Sequence, residues 1–443
     1  MELPIILLFS AGLILCLLLD QSILYALAFG FLLFCFYGRK KGFSWRELFQ
    51  WAGAGIYRVR NILITFVLIG LLTAYWRGAG TIPSIVSYTS SLIKPAVFLL
   101  MTFLLNSLIS VLTGTAFGAA ATMGVICATM AIPLGIPVWL MGGAVLSGVF
   151  VGDRCSPVST SALLVAELTE TNIFDNIKRM LKSSRLPFLA AALLYLAIGF
   201  LLPRQGEGMD MRSLFAGEFM ISPLALIPAG VIMLLSLLRV NVKWAMSASI
   251  ISAIPLCLYL QGMEGAALLK AAWSGYEAAD EALAPMINGG GIRSMMKTAG
   301  IIIISSAYSD IFRRTGLLDG AMAWAERLAG RRGAYPAMLL TGFVSAMIAC
   351  NQTLAIMLTN QLCGGIKKDP GRFALDLEDT AVIVAPLIPW CIAGSVPLAT
   401  VGAPPLAVLA ACYLYLLPLW RLFFYKQHPQ GPRPAVGGDG AAG

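Results

Sequence analysis

The sequence predicts an all-α polytopic membrane protein of about 11–13 spans, with two inverted-topology repeats, broken helices and re-entrant segments as an option. Composition sets the class, because 58% of the 443 residues are hydrophobic and only 12% are charged, whereas soluble domains carry about 25% charged residues. The 58 consecutive residues from Pro95 to Gly152 carry no charge. One helix of that length would measure about 87 Å against a hydrocarbon core of about 30 Å. This run must therefore cross the bilayer more than once.

The net charge of +9 is explained by loop charges, and we expect no nucleic-acid partner. Basic residues cluster between apolar runs, as in the linker 39–60 and from Lys178 to Arg185, which predicts cytoplasmic loops. The acidic segment 261–285 and the loop after 203 are expected to be external. The nine cysteines include no CxxC pair and are expected to be reduced. The single histidine, His428, lies in the tail, so we predict no cofactor, no histidine metal site and no enzyme.

Charge and hydropathy divide the chain into five regions. They are an N-terminal helical hairpin with a basic interfacial segment (1–60), a first repeat (61–203), a linker with two connecting spans (204–284), a second repeat (285–425) and a disordered tail (426–443). The apolar run 3–19 lacks a basic flank and is expected to be a retained first helix. Segments 42–60 and 315–330 are expected to lie along the membrane interface as amphipathic helices.

The two repeats are predicted from a weak internal similarity at an offset of 236 residues. The first half contains Trp76-Arg77-Gly78-Ala79-Gly80, which aligns with Phe312-Arg313-Arg314-Thr315-Gly316 of the second half. Further along, Ser156-Pro157 corresponds approximately to Ile388-Pro389. The loop charges make the span that ends at Arg77 run outward and the span that ends at Arg313 run inward. Two similar units of opposite topology are the plan of many secondary transporters.

Four polar interruptions of the apolar runs are the predicted places for chemistry, because polar backbone at membrane depth must be satisfied by protein or by a water-filled cavity. The first interruption, 112–118, offers hydroxyl ligands for a small cation at Thr113 and Thr115 and helix breaks at Gly114 and Gly118. Close helix packing through small residues is the alternative interpretation.

The second interruption, 152–160, joins an acid, a base, hydroxyls and a proline that breaks a helix. Its predicted ligands for a proton or a sodium ion are Asp153, Ser156, Ser159 and Thr160, with Pro157 as the break. Arg154 could instead neutralise Asp153, and a loop outside the membrane is a further alternative. Glu167 lies two helical turns after Thr160, either as a second titrating group or as a span-end residue.

The remaining interruptions lie in the second repeat. Asn351 and Gln352 place two adjacent amides inside an apolar run, where they could contact a substrate or bond helix to helix. The fourth segment supplies two more acids and two breaks, namely Glu378, Asp379, Pro386 and Pro389. The two acids are candidates for proton coupling, and the alternative places them at a helix start, where the dipole favours negative charge.

These motifs resemble, in order, those of the NhaC family of sodium/proton antiporters within the ion transporter superfamily. Gly152-Asp153-Arg154-Cys155-Ser156-Pro157-Val158-Ser159 is similar to the family's G-D-K-x-S-P-L-S, and the resemblance runs from about Asn61 to Trp390. Other matches are Phe174 to Leu181, Gly291 to Met296, Gln352 to Ile356, Leu377-Glu378-Asp379 and Leu387-Ile388-Pro389-Trp390. Thr160 and Asn351 depart from the pattern, since each stands where the family commonly has an acid.

The resemblance implies an antiporter that exchanges sodium for protons at a midplane site, with Asp153 as the main ligand. The alternative is a sodium- or proton-coupled carrier for a small organic acid or amino acid, which the two missing acids would suit better. An intramembrane enzyme would need a nucleophile with an acid–base partner, and broken helices suit alternating access better than a channel. We expect a multi-pass protein of a bacterial inner membrane, with the lipid bilayer as its partner and a homodimer as one option.

Overall fold

The computed structural model describes residues 21–89, 94–157, 159–202, 215–238, 240–280, 283–315, 334–364 and 369–424, with scattered positions between 4 and 19. Apart from turns and one antiparallel bridge between Tyr276 and Gly289, the regular structure in these ranges is helical. The predicted all-α class is confirmed. The expected first span 3–19 and interfacial segment 315–330 lie mostly outside the described residues, and the tail 426–443 and His428 lie wholly outside them.

The described residues from 21 to 202 form nine helices. They are α1 (Ile23–Lys40), α2 (Trp45–Arg58), α3 (Arg60–Gly78), α4 (Thr81–Thr89), α5 (Pro95–Thr113), α6 (Ala116–Ala131), α7 (Val138–Cys155), α8 (Thr160–Thr169) and α9 (Ile173–Leu201). Ordinary start signals set their limits. Ser44 and Glu47 form a capping box before α2, Pro95 occupies the first turn of α5, and Asn172 caps α9.

Ten further helices follow in the described residues of the second part. They are α10 (Ile227–Leu237), α11 (Val242–Leu260), α12 (Gly265–Ser274), α13 (Ala284–Ile287), α14 (Gly291–Thr315), α15 (Ala334–Ala349), α16 (Gln352–Cys363), α17 (Pro370–Leu387), α18 (Ile392–Thr400) and α19 (Cys412–Phe424). Short 3-10 turns precede α10 and α19. One continuous core of buried apolar side chains joins helices of both parts.

Five described helices are long and apolar enough to cross a bilayer, namely α3, α5, α7, α9 and α11. The pair α17 and α18 adds a sixth candidate, bent by 54° at its break. The apolar run that contains Asn351 and Gln352 divides at these residues into two shorter helices, α15 and α16. The predicted 11–13 spans therefore include broken segments as well as full crossings.

The alternative interpretation that places Glu378 and Asp379 at a helix start is wrong. Glu378 and Asp379 do not begin a helix, because α17 begins eight residues earlier at Pro370, capped by Asp369. The two acids lie in the middle of α17, in a π-helical turn from Glu378 to Val382. The hydrophobic run after Asp379 favours a helix that begins there. The residues before it, from Pro370 to Leu377, are amphipathic and are already helical, which the sequence pattern does not distinguish from a loop. Such π turns are frequent at functional sites.

Helices α5 and α7 pack backbone against backbone where α7 approaches its end. A side-chain carbon at Gly152 would overlap the main-chain atoms of Ser110 and Val111, so only glycine fits there. Ser110 also donates a hydrogen bond to the carbonyl oxygen of Val149. Because Asp153 follows directly, this contact fixes the depth of that carboxyl in the bundle.

Replacing Gly152 by alanine should therefore lower stability by about 1–3 kcal/mol, the usual cost of overpacking a core. The measurement is thermal unfolding of the purified protein in detergent. Gly230 in α10 is the matched control, because an added side-chain carbon meets nothing within 4 Å there. Gly230→Ala should be neutral or slightly stabilising, and an equal loss in both variants would contradict the packing argument.

Candidate functional site

Two helix breaks in the structure have the same backbone geometry. Between α5 and α6, Gly114 is left-handed (φ 70°) and Thr115 extended (φ −139°, ψ 128°). Between α15 and α16, Cys350 is left-handed (φ 53°) and Asn351 extended (φ −144°, ψ 130°). Gly114 and Cys350 are 236 positions apart, which is the offset found in the sequence. The first and third predicted interruptions are therefore equivalent hairpin tips.

At each tip a polar side chain caps the helix that follows. Thr115 Oγ1 accepts a hydrogen bond of 3.0 Å from the N–H of Gly118, and Asn351 Oδ1 accepts one of 3.3 Å from the N–H of Leu354. Both side chains thus satisfy free N–H groups at helix starts. The predicted break at Gly118 is a packing position inside α6, and the chain turns at Gly114.

A second pair of breaks follows the two hairpins. The chain leaves α7 at Ser156-Pro157 and re-enters a helix at Thr160, and it leaves α17 at Ile388-Pro389 and re-enters at Ile392. Pro157 and Pro389 lie at equivalent places in these breaks. Pro386 lies in the 3-10 turn that ends α17, where its carbonyl oxygen packs on Gly394.

Asp153 lies in the last turn of α7 and is only 6% exposed, which rules out a loop outside the bundle. Its Oδ2 accepts a hydrogen bond of 2.9 Å from Ser161 Oγ and one of 3.0 Å from Gln352 Nε2. The backbone N–H of Ala116, at the start of α6, also interacts with this carboxyl. The carboxyl therefore lies beside both hairpin tips, one from each part of the chain.

Gln352 joins Asp153 to the π turn of α17. Its Nε2 also donates a hydrogen bond of 3.2 Å to the carbonyl oxygen of Val382, the last residue of that turn. Gln352 thus brings an amide from the second half of the chain against the Asp153 carboxyl. Asn351 is held in its capping role, so the two adjacent amides have different tasks.

The hydroxyls around Asp153 differ in part from those predicted. Ser159 Oγ donates to the backbone carbonyl of Asp153, and Ser156 Oγ donates a bond of 2.7 Å to the carbonyl oxygen of Val111. Thr160 is exposed and makes no contact with the carboxyl, while Ser161, which the sequence reasoning missed, contacts it directly. The run Ser159-Thr160-Ser161 in the sequence indicates that a hydroxyl lies near Asp153. Which of the three hydroxyls faces the carboxyl depends on the rotation of α8 about its axis.

Two other predicted residues have different surroundings. Glu167 lies on the exposed side of α8, away from the Asp153 site, in keeping with the span-end alternative. The hydroxyl of Thr113, next to the first tip, is buried without a hydrogen-bond partner. A buried hydroxyl without a partner is costly, so Thr113 stays available as an oxygen ligand.

Arg154 does not neutralise Asp153 but pairs with Asp379 across the two halves. The guanidinium is fully buried and also donates to Ser183 Oγ (2.8 Å) and to the carbonyl oxygen of Met180 (3.2 Å) in α9. Neighbouring residues in a helix point about 100° apart, so Asp153 and Arg154 face different helices. The alternative in which Arg154 neutralises Asp153 is therefore wrong.

A second ion pair, which the sequence reasoning missed, lies next to the first. Arg421 of α19 pairs with Asp376 of α17, and its Nε lies 2.9 Å from Asp379 Oδ2 in an ion-pair contact without hydrogen-bond geometry. Tyr335 packs its ring 5.2 Å from the Arg421 guanidinium. The sequence feature that could have indicated this pair is Arg421, the first charged residue after Asp379.

Glu378 is the remaining acid of this buried group. It is 1% exposed, and its Oε2 has no hydrogen-bond partner. It lies within the electrostatic reach of Arg154, Asp153 and Asp379. Each of these two arginines already has an aspartate, and the partly exposed Arg372 interacts electrostatically with Asp376. Among the salt bridges of the described residues, none pairs Asp153 or Glu378 with a basic side chain.

The described residues contain no group of three or more His, Cys, Asp or Glu side chains that could hold a metal ion. The oxygen-rich surroundings of Asp153 suit a hard, weakly held cation better, since such cations prefer carboxylate, hydroxyl and carbonyl oxygens. A carboxyl beside hydroxyl and carbonyl oxygens can bind either a proton or such a cation. This is the chemistry that an ion exchanger needs.

Comparison with known sequences agrees with this chemistry. The sequence profile of the Na+/H+ antiporter family matches residues 2–168 and 148–420. The chain belongs to the Na+/H+ antiporter family. It is therefore a secondary transporter of the antiporter type and a multi-pass membrane protein, as the sequence predicts.

Individual relatives in this antiporter family differ in what their names say they move. The chain is 28% identical over 366 residues to the Na(+)/H(+) antiporter NhaC of Bacillus subtilis, which covers 80% of this chain and 81% of that protein. It is 26% identical over 384 residues to the malate-2H(+)/Na(+)-lactate antiporter of the same organism, covering 84% and 82%. The arginine/ornithine antiporter ArcD of Halobacterium salinarum is 25% identical over 366 residues, covering 80% and 76%.

Proposed function

We propose that this antiporter exchanges sodium ions for protons, and that Asp153 and Glu378 are the two groups that bind them. The main support is that Arg154 and Arg421 each form an ion pair with an aspartate. The buried carboxyls of Asp153 and Glu378 take no part in these two pairs. An isolated buried carboxylate is costly and is expected to bind a proton or a cation. Each acid can therefore hold one or the other, but not both.

Competition at these carboxyls couples the two fluxes. A sodium ion that displaces the proton from Asp153 would take up oxygens from Ser161, Ser159 and the unpartnered hydroxyl of Thr113. The positive ends of α6 and α16 and the amide of Gln352 stabilise the ionised carboxylate that sodium requires. The same carboxyl then carries a proton in one direction across the membrane and a sodium ion in the other.

Contacts at the bundle ends support opposite entry of the two hairpins. Gly199, near the predicted external end of α9, packs on Ala96 at the start of α5, so the α5–α6 hairpin would enter from outside. Gly371, at the start of α17, packs on the guanidinium of Arg179 in the basic cytoplasmic cluster. The α15–α16 hairpin, whose Tyr335 contacts Asp379, would then enter from the cytoplasm. Hairpins that enter from opposite sides are the inverted-repeat arrangement. We place the protein in the inner membrane of a bacterial cell.

A second candidate is exchange of a small organic acid or amino acid, coupled to sodium or protons. Relatives of similar identity carry names for malate, lactate, arginine and ornithine exchange. Asn351 also stands where the NhaC pattern has an acid. The other replaced acid weighs less, because Thr160 is exposed and lies away from the Asp153 carboxyl.

Reconstituted vesicles with an internal pH dye test the proposal. A sodium gradient is expected to drive protons in the opposite direction, while an equal potassium gradient should not. Malate, lactate or arginine gradients are imposed on the same vesicles for comparison. If only an organic solute moves protons or sodium, the second candidate is correct and sodium/proton exchange is not.

A further inference from the structure

A cavity of about 380 Å³ lies apart from Asp153, at the end of the bundle that the loop charges place outside. It is formed by the ends of α3, α6 and α18 and by the starts of α7 and α14. Its volume is near the lower end of the range for small-molecule sites, about 300–1,000 Å³. The walls are mainly apolar, with Val125, Ile132 and Met295 among them, and hydroxyls are set between them.

Arg77, in the last turn of α3, is the charged residue among those that line this cavity. Its NH1 donates a bond of 2.8 Å to the carbonyl oxygen of Thr73, and its Nε is buried without a hydrogen-bond partner. No described carboxylate pairs with it, whereas Arg154 and Arg421 both have aspartates. A partly desolvated guanidinium with a free donor is completed by an anion, and its planar fork matches a carboxylate.

The same cavity is lined by Gly290, which directly precedes α14, and by Ser294 and Thr298 in the first turns of that helix. A side-chain carbon at Gly290, whose φ is +79°, would come within 2.6 Å of the Ala74 nitrogen. Glycine therefore brings the first turn of this 25-residue helix against α3, beside Arg77. A helix start carries a partial positive charge, which adds to the field of the guanidinium.

We propose that this cavity binds the carboxylate of a small organic anion. Arg77 would hold the carboxylate, with the hydroxyls of Thr298, Thr129 and Thr400 around the rest of the molecule. The apolar walls favour a carbon skeleton over a bare inorganic anion. As a transport site, the cavity rests on the second candidate function. As a binding site, it is independent of sodium/proton exchange at Asp153.

Binding of L-malate, L-lactate, L-arginine and chloride to the purified protein tests this inference, by thermal shift and titration calorimetry at constant ionic strength. At least one carboxylate should bind to the wild type, and Arg77→Gln should weaken its Kd tenfold or more. Thr298→Val should weaken it several-fold and serves if Arg77→Gln does not fold. Arg314→Gln, at the exposed far end of α14, is the matched control and should bind as the wild type does.

Three results would overturn the inference: no carboxylate binding to the wild type, unchanged binding in the folded lining variants, or a chloride shift equal to that of the carboxylates. Sodium-driven proton movement is measured on the same preparations. Carboxylate binding without such movement would remove the sodium/proton proposal and leave the cavity assignment in place. Sodium-driven proton movement without carboxylate binding would remove the cavity assignment and leave the sodium/proton proposal in place.

Discussion

Asp153→Asn is expected to abolish sodium-driven proton movement in reconstituted vesicles. Asparagine keeps the size of the side chain and its bonding partners, Ser161 and Gln352, but it cannot release a proton or balance the charge of sodium. A charged partner contributes about 1.5–3 kcal/mol to such an interaction, so sodium binding should weaken by about 10- to 150-fold. Coupled movement should stop because it needs both carboxyls, although Glu378 can still release its own proton when sodium binds.

Two variants on α8 serve as controls for this prediction. Glu167→Gln removes an acid from the exposed side of the helix and should leave exchange unchanged. Ser161→Ala removes one hydroxyl from the carboxyl and should raise the sodium concentration needed for half-maximal exchange, with proton movement retained. Full exchange by Asp153→Asn would show that another group carries the ion.

Arg154→Gln is expected to destabilise the folded protein by about 3–5 kcal/mol, because breaking the buried ion pair leaves Asp379 with only the guanidinium of Arg421, which it shares with Asp376. The side chain also holds Ser183 and the carbonyl oxygen of Met180, so α9 loses its tie to α7 and α17. Thermal or denaturant unfolding in detergent measures the loss. The double variant with Asp379→Asn should recover part of it, since the excess negative charge beside Arg421 is removed.

The exposed pair of Lys270 and Glu277 is the matched control for this loss. Their side chains are 66% and 60% exposed, and the ion pair spans 2.7 Å. Lys270→Gln should change stability by less than about 1 kcal/mol, as is usual for surface pairs. A similarly small effect of Arg154→Gln would mean that the buried network does not join the two halves.

The class of the protein and the places of its breaks could be predicted because composition and local chemistry determine them. Gly114 and the prolines at 157 and 389 change the backbone wherever they stand. The offset of 236 residues, read from Trp76 and Phe312, recurs in the tips at Gly114 and Cys350. A cysteine in the left-handed region could not be foreseen, since its backbone conformation is imposed by tertiary contacts.

The partners of each side chain were less predictable, because they depend on helix phase and on long-range contacts. One residue of phase in α8 separates the predicted Thr160 from the observed Ser161. Arg154 is next to Asp153 in sequence, yet its partner Asp379 is 225 residues away. Asp376 and Arg421 were missed for the same reason, since neither lies in a break and only the packing of α17 against α19 brings them together.

Proton release on sodium binding is the most direct test of the two-carboxyl account. Purified protein in weakly buffered detergent solution is mixed with sodium chloride, and a pH dye records the protons set free, with choline chloride as the blank. The wild type should release protons, Asp153→Asn and Glu378→Gln should each release fewer, and the double variant should release none. Unchanged release by the double variant would contradict the assignment of Asp153 and Glu378 as the exchanging groups.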